Sequence, residues 1–184
     1  MDESLFRLIN DGLASPTMDW IMIAVTTPDT WLAPGVLLIA ALFTVERKKG
    51  VVAVLAAILA VGVGDSLAHQ VIKPMVGRAR PCAALENVHM PKVVGCTNSF
   101  SFPSNHAVNT FAFAAAMGVI YPKMLFALAP IALLVALSRV ALGVHYPADV
   151  AVGGALGIAI GVAMATLAKR LTNISQKKEP QEDG

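Results

Sequence analysis

The chain has 184 residues, 56% of them hydrophobic and 14% charged, with a formal net charge of +2 at pH 7. This balance points to a membrane protein rather than to a soluble domain. The small net charge and the lack of a basic stripe with interleaved aromatic side chains argue against nucleic acid as a partner.

The apolar segments predict an all-α integral membrane bundle of five to six transmembrane helices, preceded by a short interfacial helix. Residues 4–13 place Leu5, Phe6, Ile9 and Leu13 on one helical face and Asn10 off it, as an interfacial helix requires. Residues 20–26 are too short to cross a bilayer of about 30 Å on their own. The longer predicted spans are residues 31–45, 51–72, 104–121, 123–142 and 146–167.

Residues 1–170 are predicted to form one membrane domain, and residues 171–184 a disordered cytoplasmic tail. Cations in the short connections after the first, third and fifth spans fall on one side, which should be the cytoplasm. The loop 74–103 and the turn at His145 then face the periplasm or the cell exterior. Four cations lie on that side against the usual bias, and a bound anion would explain them: Lys73, Arg78, Arg80 and Lys92.

Residues 138–149 form a polar island between two apolar spans. His145 and Asp149 are four residues apart, and Pro147 suits a first helical turn, so both side chains should share one face. Asp149 can then accept the Nδ1 proton and leave Nε2 bare as a nucleophile or base. Arg139 adds a guanidinium suited to phosphate. The structural alternative is a capping Asp beside an interfacial His.

Two further segments bring polar groups to the same side. Lys73 and Arg80 follow the second span, and Ser104 begins the third, where backbone N–H groups near Asn105 can bind an anion. Each residue has a structural alternative, because Lys73 could snorkel, Ser104 could simply cap its helix and His106 could be interfacial. Together, three cations, a helix N-terminus and two histidines predict an anion site that contains a nucleophile.

In order and spacing, three blocks resemble the signature of the type 2 phosphatidic acid phosphatase superfamily. They are Lys73 to Arg80-Pro81, Pro103-Ser104-Asn105-His106, and Ser138-Arg139 to His145 to Asp149. Asn105 stands where that family usually has Gly. The resemblance implies that His145 forms a phosphohistidine while Asp149 orients it, and that His106 acts as acid and base. The implied phosphate ligands, with no metal or cofactor required, are Lys73, Arg80, Ser104, Asn105 and Arg139.

The resemblance implies a multi-pass phosphatase of lipid phosphates or diphosphates in the bacterial cytoplasmic (inner) membrane, acting at its outer face. The compact chain resembles the short undecaprenyl diphosphate phosphatases. Phosphatidylglycerophosphate and lipid A phosphate are alternative substrates, and a small anion transporter or channel is the non-enzyme alternative. Membrane lipids are the expected partners, and the sequence does not predict an oligomeric state.

Residues behind this site carry further predictions. Asp65 and His69 fall on one stripe with Lys73 and are expected to position it, the alternative being a separate proton or substrate path. Ser138 is expected to support the site from behind. Gly153, recurring with Gly157 and Gly161, should permit close helix packing.

Cys82 and Cys96 are the two cysteines of the chain and lie in the loop 74–103, called the outer loop after its predicted side of the membrane. Because periplasmic and extracellular compartments allow disulfides, they are predicted to pair and so to tie the Arg80 segment to the Ser104 segment. The alternative is two unpaired thiols in a mobile loop.

Overall fold

The computed structural model describes residues 1–176, and every regular element in that range is helical. The α-helices are α1 Asp2–Gly12, α2 Pro16–Thr26, α3 Leu32–Val45, α4 Arg47–Ser66, α5 Lys73–Val76, α6 Pro81–Ala84, α7 Asn105–Ile120, α8 Leu125–Ala141 and α9 Pro147–Gln176. The predicted all-α fold is confirmed. Residues 171–176 of the predicted tail belong to α9, and residues 177–184 lie outside the described range.

The N-terminal helix α1 is partly buried. Phe6 is fully buried, whereas Leu5 and Leu8 are exposed. The sequence placed Asn10 off the apolar face, but Asn10 is fully buried, and its amide donates to the carbonyls of His89 and Ala141 at 2.8 Å each. A buried amide is tolerated when its hydrogen bonds are made, so Asn10 fastens α1 to the outer loop and to α8.

Residues 20–26 belong to α2, which begins at Pro16 with the Ser15 hydroxyl accepting from the amide of Met18 at 3.3 Å. This is the cap that Ser and Pro favour at a helix start. The helices spanning residues 16–26 and 28–44 meet at a bend of 64°, and together they are long and apolar enough to form one broken span.

Three described helices are individually long and apolar enough to cross a membrane, and the bent pair would make a fourth. Helix α7 has 16 residues, fewer than the roughly 20 that a straight span needs. The second predicted span continues past Ile72, because α4 passes through a π-helical stretch at Leu67–Ile72 into α5. The loop predicted to begin at Pro74 therefore begins after Val76, where Gly77 adopts a left-handed conformation.

Small residues bring the central helices together. Helices α4, α7 and α9 pack around alanines that are almost fully buried, among them Ala57, Ala112 and Ala165. A Cβ atom at Gly153 would lie 2.8 Å from the carbonyl oxygen of Ser104, so this position of α9 requires Gly. The small-residue stripe thus holds the start of α9 directly against the start of α7.

The outer loop is bonded to the turn between α8 and α9. Cys82 and Cys96 form a disulfide, and the amide of Cys82 donates to the carbonyl of Gly143 at 3.2 Å. Gly143 has a φ of +78°, and a Cβ atom there would lie 2.7 Å from the carbonyl oxygen of His89. Glycine at position 143 therefore permits the turn before His145 and the close approach of the outer loop to that turn.

Candidate active site

A polar cavity of about 350 Å³ opens where the start of α5, the start of α7 and the α8–α9 turn meet. Its lining combines cations, histidines and loop residues: Asp65, His69, Lys73, Arg80, Val94, Gly95, Thr97, Ser99, Asn105, His106, Arg139, Val144 and His145. Three segments that are far apart in sequence therefore meet in one cavity, as the sequence predicts.

His145 is 2% exposed, and its Nε2 atom lies 3.2 Å from Nη1 of Arg80. A guanidinium can only donate hydrogen bonds, so this contact requires a bare Nε2 with the ring proton on Nδ1. The Nδ1 atom is 3.5 Å from Oδ2 of Asp149 and 3.4 Å from the hydroxyl of Ser101. The tautomer is the one expected, but the contact with Asp149 is at the outer limit of a hydrogen bond.

Asp149 is fully buried and surrounded by donors. Its Oδ2 accepts from the Ser101 hydroxyl and, at 2.8 Å, from the amide of Tyr146. Its Oδ1 accepts from Arg78 at 2.7 Å. A buried carboxylate stays ionised when its oxygens are satisfied in this way, so Asp149 presents a fixed negative charge to the back of the His145 ring.

Burial lowers the pKa of His145 from 6.5 to about 4, and the neighbouring positive charges of Arg80 and Arg139 act in the same direction. The hydrogen bond and charge of Asp149 oppose this shift without overcoming it. His145 is therefore neutral at physiological pH, and the lone pair on Nε2 is available for attack on an electrophile.

Arg80 and Lys73 are buried cations held by one stretch of the outer loop. Arg80 donates to the carbonyl of Ser99 at 2.9 Å, to the Ser99 hydroxyl at 2.8 Å and to the carbonyl of Val144 at 3.1 Å. Lys73 donates to the carbonyl of Phe100 at 2.6 Å. The loop residues thus fix two positive charges at the cavity wall.

Three predicted phosphate ligands carry buried polar atoms with no partner among the described residues. They are the Nε of Arg139, the hydroxyl of Ser104 and Oδ1 of Asn105. Arg139 Nη1 donates to the hydroxyl of Thr26 at 3.0 Å, which links α8 to α2. Buried polar atoms without partners are costly, and a ligand oxygen is one way to satisfy them. His106 lines the cavity, whereas Ser104 is not part of its wall.

Asn105, which stands where the family pattern has Gly, makes a specific contact. Its amide donates to Oδ1 of Asp65 at 2.8 Å, and the amide of Asn109, one turn further along α7, donates to the same oxygen at 2.9 Å. The hydrogen bonds of Asp65 therefore go to two amides of α7, whereas the sequence predicts that Asp65 positions Lys73. Asp65 joins α4 to the start of α7 beside His106.

The remaining predicted residues lie around the cavity. His69 is exposed and lines it. Ser138 is buried, and its hydroxyl donates at 2.7 Å to the carbonyl of Val135 within α8, so Ser138 supports the helix instead of contacting the site. No group of three or more His, Cys, Asp or Glu side chains in the described part of the chain is placed to hold a metal ion.

Sequence reasoning missed the residues that hold Asp149. Arg78 is predicted only as a cation on the outer side, and Ser101 lies in the predicted loop 74–103 without an assigned role. Asp2 was missed altogether, although its Oδ2 accepts from Arg78 at 2.6 Å. An excess cation two residues before Arg80 was the available signal for Arg78, whereas nothing local marks Asp2.

The helices and this cavity together define a multi-pass membrane protein with a cavity lined by cations and histidines. The PAP2 superfamily model matches residues 32–173, and the chain belongs to that superfamily.

Individual relatives and a solved structure agree with this assignment. Decaprenylphosphoryl-5-phosphoribose phosphatase of Mycobacterium tuberculosis is 41% identical, and the match covers 56% of each chain, so the chain spans about half the length of that relative. Undecaprenyl-diphosphatase of Sulfolobus acidocaldarius is 30% identical over 83% of this chain and 71% of the relative. Lipid A 4'-phosphatase of Bacteroides thetaiotaomicron is 28% identical over 98% of this chain and 82% of the relative. A crystal structure of Aquifex aeolicus LpxE superposes with a TM-score of 0.67 at 27% identity, covering 90% of this chain and 94% of that one.

Proposed function

We propose that the protein removes phosphate from a membrane lipid at the outer face of the bacterial cytoplasmic membrane, through a phosphohistidine at His145. The observation that carries this proposal is the placement of a neutral His145 with bare Nε2 at 3.2 Å from Arg80, in a cavity that Lys73 and Arg139 also line. Such a nucleophile among fixed cations suits in-line attack on phosphorus.

In the first step Nε2 of His145 attacks phosphorus, and the bond from phosphorus to the leaving oxygen breaks. Nη1 of Arg80 then donates its hydrogen bond to a phosphoryl oxygen instead of to Nε2. The guanidinium that holds the free nucleophile therefore also stabilises the transition state. His106, which also lines the cavity, donates a proton to the leaving oxygen. Asp149 stabilises the positive charge that develops on the ring.

In the second step water attacks the phosphohistidine, and His106, now neutral, accepts the proton. The bond between phosphorus and Nε2 breaks, inorganic phosphate leaves and both histidines return to their starting states. The cations that bind the phosphoryl oxygens are fixed before the reaction by the outer loop, so little reorganisation is required.

We propose undecaprenyl diphosphate as the substrate. Two of the relatives are named for polyprenyl phosphates, and one of them is an undecaprenyl-diphosphatase. The buried cations Lys73 and Arg80 and the partly buried Arg139 suit the charge of a diphosphate. A cavity of about 350 Å³ accepts a headgroup without accepting a long chain. The polyprenyl tail would remain in the lipid.

A second candidate substrate is lipid A phosphate. It is favoured by the Bacteroides lipid A 4'-phosphatase, whose match extends over nearly the whole of this chain. The chemistry at His145 would be the same, and only the leaving group would differ.

Detergent-solubilised protein assayed against undecaprenyl diphosphate, lipid A and phosphatidylglycerophosphate tests both parts of the proposal. We expect phosphate release to be fastest from undecaprenyl diphosphate and to be abolished in His145→Ala. The matched control is His89→Ala, which removes an outer-loop histidine whose ring contacts Asp19 instead of the cavity. Activity in His145→Ala above a few per cent would refute the nucleophile, and faster release from lipid A would refute the substrate.

A further inference from the structure

A chain of charged side chains begins at the N-terminal helix and ends at the His145 ring. Oδ2 of Asp2 accepts from Nη2 of Arg78 at 2.6 Å, and Nη1 of the same guanidinium donates to Oδ1 of Asp149 at 2.7 Å. Oδ2 of Asp149 then faces Nδ1 of His145 at 3.5 Å. One Arg therefore bridges a carboxylate of α1 and the buried carboxylate behind His145.

Several contacts hold this bridge in place. The other oxygen of Asp2, Oδ1, accepts from the amide of Ala148 at 3.0 Å, in the first turn of α9. The guanidinium carbon of Arg78 lies 3.9 Å from the centre of the Tyr146 ring, and that ring packs against the fully buried Phe6. Asp2 is thus fastened at both carboxylate oxygens, and α1 is anchored directly behind the site.

The bridge has an electrostatic consequence for Asp149. Arg78 is the cation that contacts Asp149 directly. Without Asp2, the whole positive charge of Arg78 would act on Asp149 and would weaken the attraction between the carboxylate and His145. Asp2 shares that cation and orients its fork, so that only one arm reaches Asp149. Hydrogen-bonded charges that orient a functional group affect activity without contacting the substrate.

We propose that Asp2 is a positioning residue for the reaction, which acts through Arg78 to hold the Asp149 carboxylate against His145. This inference rests on the proposed function, because it presupposes that His145 is the nucleophile. Asp2 itself lies outside the residues that line the cavity. The effect should therefore fall on kcat, and the KM for the lipid should change little.

Asp2→Asn removes the ion pair with Arg78 but can keep the hydrogen bond from Ala148 in the first turn of α9. The amide oxygen of Asn can still accept from Ala148, whereas its NH2 group would oppose the donors of Arg78. We expect kcat to fall on the order of tenfold, as coupling within one hydrogen-bond network typically produces. Glu3→Gln is the matched control: it removes an acid from the same first turn, where Glu3 is 59% exposed and lies 4.0 Å from Arg7. Its kcat should stay at the wild-type value.

A double-mutant cycle with Arg78→Ala distinguishes positioning from general destabilisation. In the Arg78→Ala background, Asp2→Asn should have no further effect on kcat, because the route to Asp149 has already been cut. Equal losses in both backgrounds, or a kcat for Asp2→Asn equal to that of Glu3→Gln, would overturn the proposal. Asp2→Glu, which retains the charge, should recover part of kcat, and failure to exceed Asp2→Asn would also contradict it.

A second assay, which traps the phosphoenzyme, separates failure of this inference from failure of the proposed function. Quenched samples of enzyme and radiolabelled lipid phosphate report phosphoenzyme formation directly. Absence of a phosphoenzyme in the wild type, together with activity in His145→Ala, would remove the nucleophile on which both depend. A normal phosphoenzyme in the wild type, formed at the same rate in Asp2→Asn, would refute only the role of Asp2.

Discussion

Nε2 of His145 and Nη1 of Arg80 lie 3.2 Å apart, and the same guanidinium is held by both the carbonyl and the hydroxyl of Ser99. One side chain therefore connects the outer loop, the nucleophile and the space where a phosphoryl group would bind. Rigid placement of a cation before the reaction is what electrostatic catalysis requires.

Replacing Arg80 with Lys should lower kcat by roughly 10²–10³, the range observed when one preorganised donor is lost. Lys retains the positive charge but cannot bond Ser99, Val144 and a phosphoryl oxygen at once, because it lacks the planar fork. The measurement is the steady-state rate of phosphate release. Lys92→Arg, a change to a cation of the same loop outside the cavity lining, is the control and should retain wild-type activity. Near-normal kcat in Arg80→Lys would show that charge alone suffices.

Protonation of His145 should destabilise the protein in mild acid. Its pKa is about 4 in the folded state and about 6.5 when unfolded, so the unfolded state binds more protons between those values. The stability that His145 contributes is complete above pH 6.5 and is lost as the pH falls toward 4. At about 1.4 kcal/mol per unit, the loss is on the order of 3 kcal/mol.

Thermal unfolding in detergent, followed from pH 7 to pH 4 in buffer without phosphate, measures this effect. The midpoint temperature of wild-type unfolding should decrease as the pH falls across that range. His145→Ala should show a shallower decrease because it lacks the imidazole that becomes protonated. Other groups titrate in both proteins, so the difference between the two curves isolates His145. Parallel curves would contradict the low pKa.

Much of the candidate site could be predicted because its residues come in short blocks with fixed spacing. The helical spacing of His145 and Asp149, and the position of Ser104 before an apolar run, are local signals. Asn10, Arg78 and Asp2 could not be assigned in this way. Their partners are distant in sequence, and a buried amide or a bridging Arg looks like an ordinary surface residue until the helices pack. For the same reason the sequence predicted the apolar segments well but missed the bend after α2 and the continuation of α4 through α5.

Asn105 offers a matched pair of variants. Asn105→Ala and Asn109→Ala each remove one amide from the same oxygen of Asp65, so each should lower the free energy of unfolding by about 1–3 kcal/mol. Because Asn105 lines the cavity, only Asn105→Ala should also reduce kcat. Thermal unfolding and steady-state kinetics check the two expectations. Equal kcat in the two variants would indicate that Asn105 serves only to hold Asp65.

Activity should not depend on an added metal ion, because Lys73, Arg80 and Arg139 already supply fixed positive charge where phosphoryl oxygens would bind. We expect full activity after dialysis against excess chelator, and inhibition by vanadate, which mimics a five-coordinate phosphorus. The check is phosphate release before and after chelation. Loss of activity that Mg²⁺ restores would refute the mechanism.

The disulfide between Cys82 and Cys96 should matter through the residues on either side of it. Arg80 lies two residues before Cys82, and Thr97 and Ser99, which follow Cys96, line the cavity. Because Arg80 bonds to Ser99, the crosslink and this hydrogen-bonded contact close the same loop and should reinforce each other. Replacing both cysteines with Ser should lower the free energy of unfolding by roughly 3 kcal/mol in the chain-entropy model. It should also lower kcat more than Asn98→Ala, a control change within the same loop. Thiol labelling of unfolded wild-type protein, with and without prior reduction, establishes the bond, and full labelling before reduction would refute it.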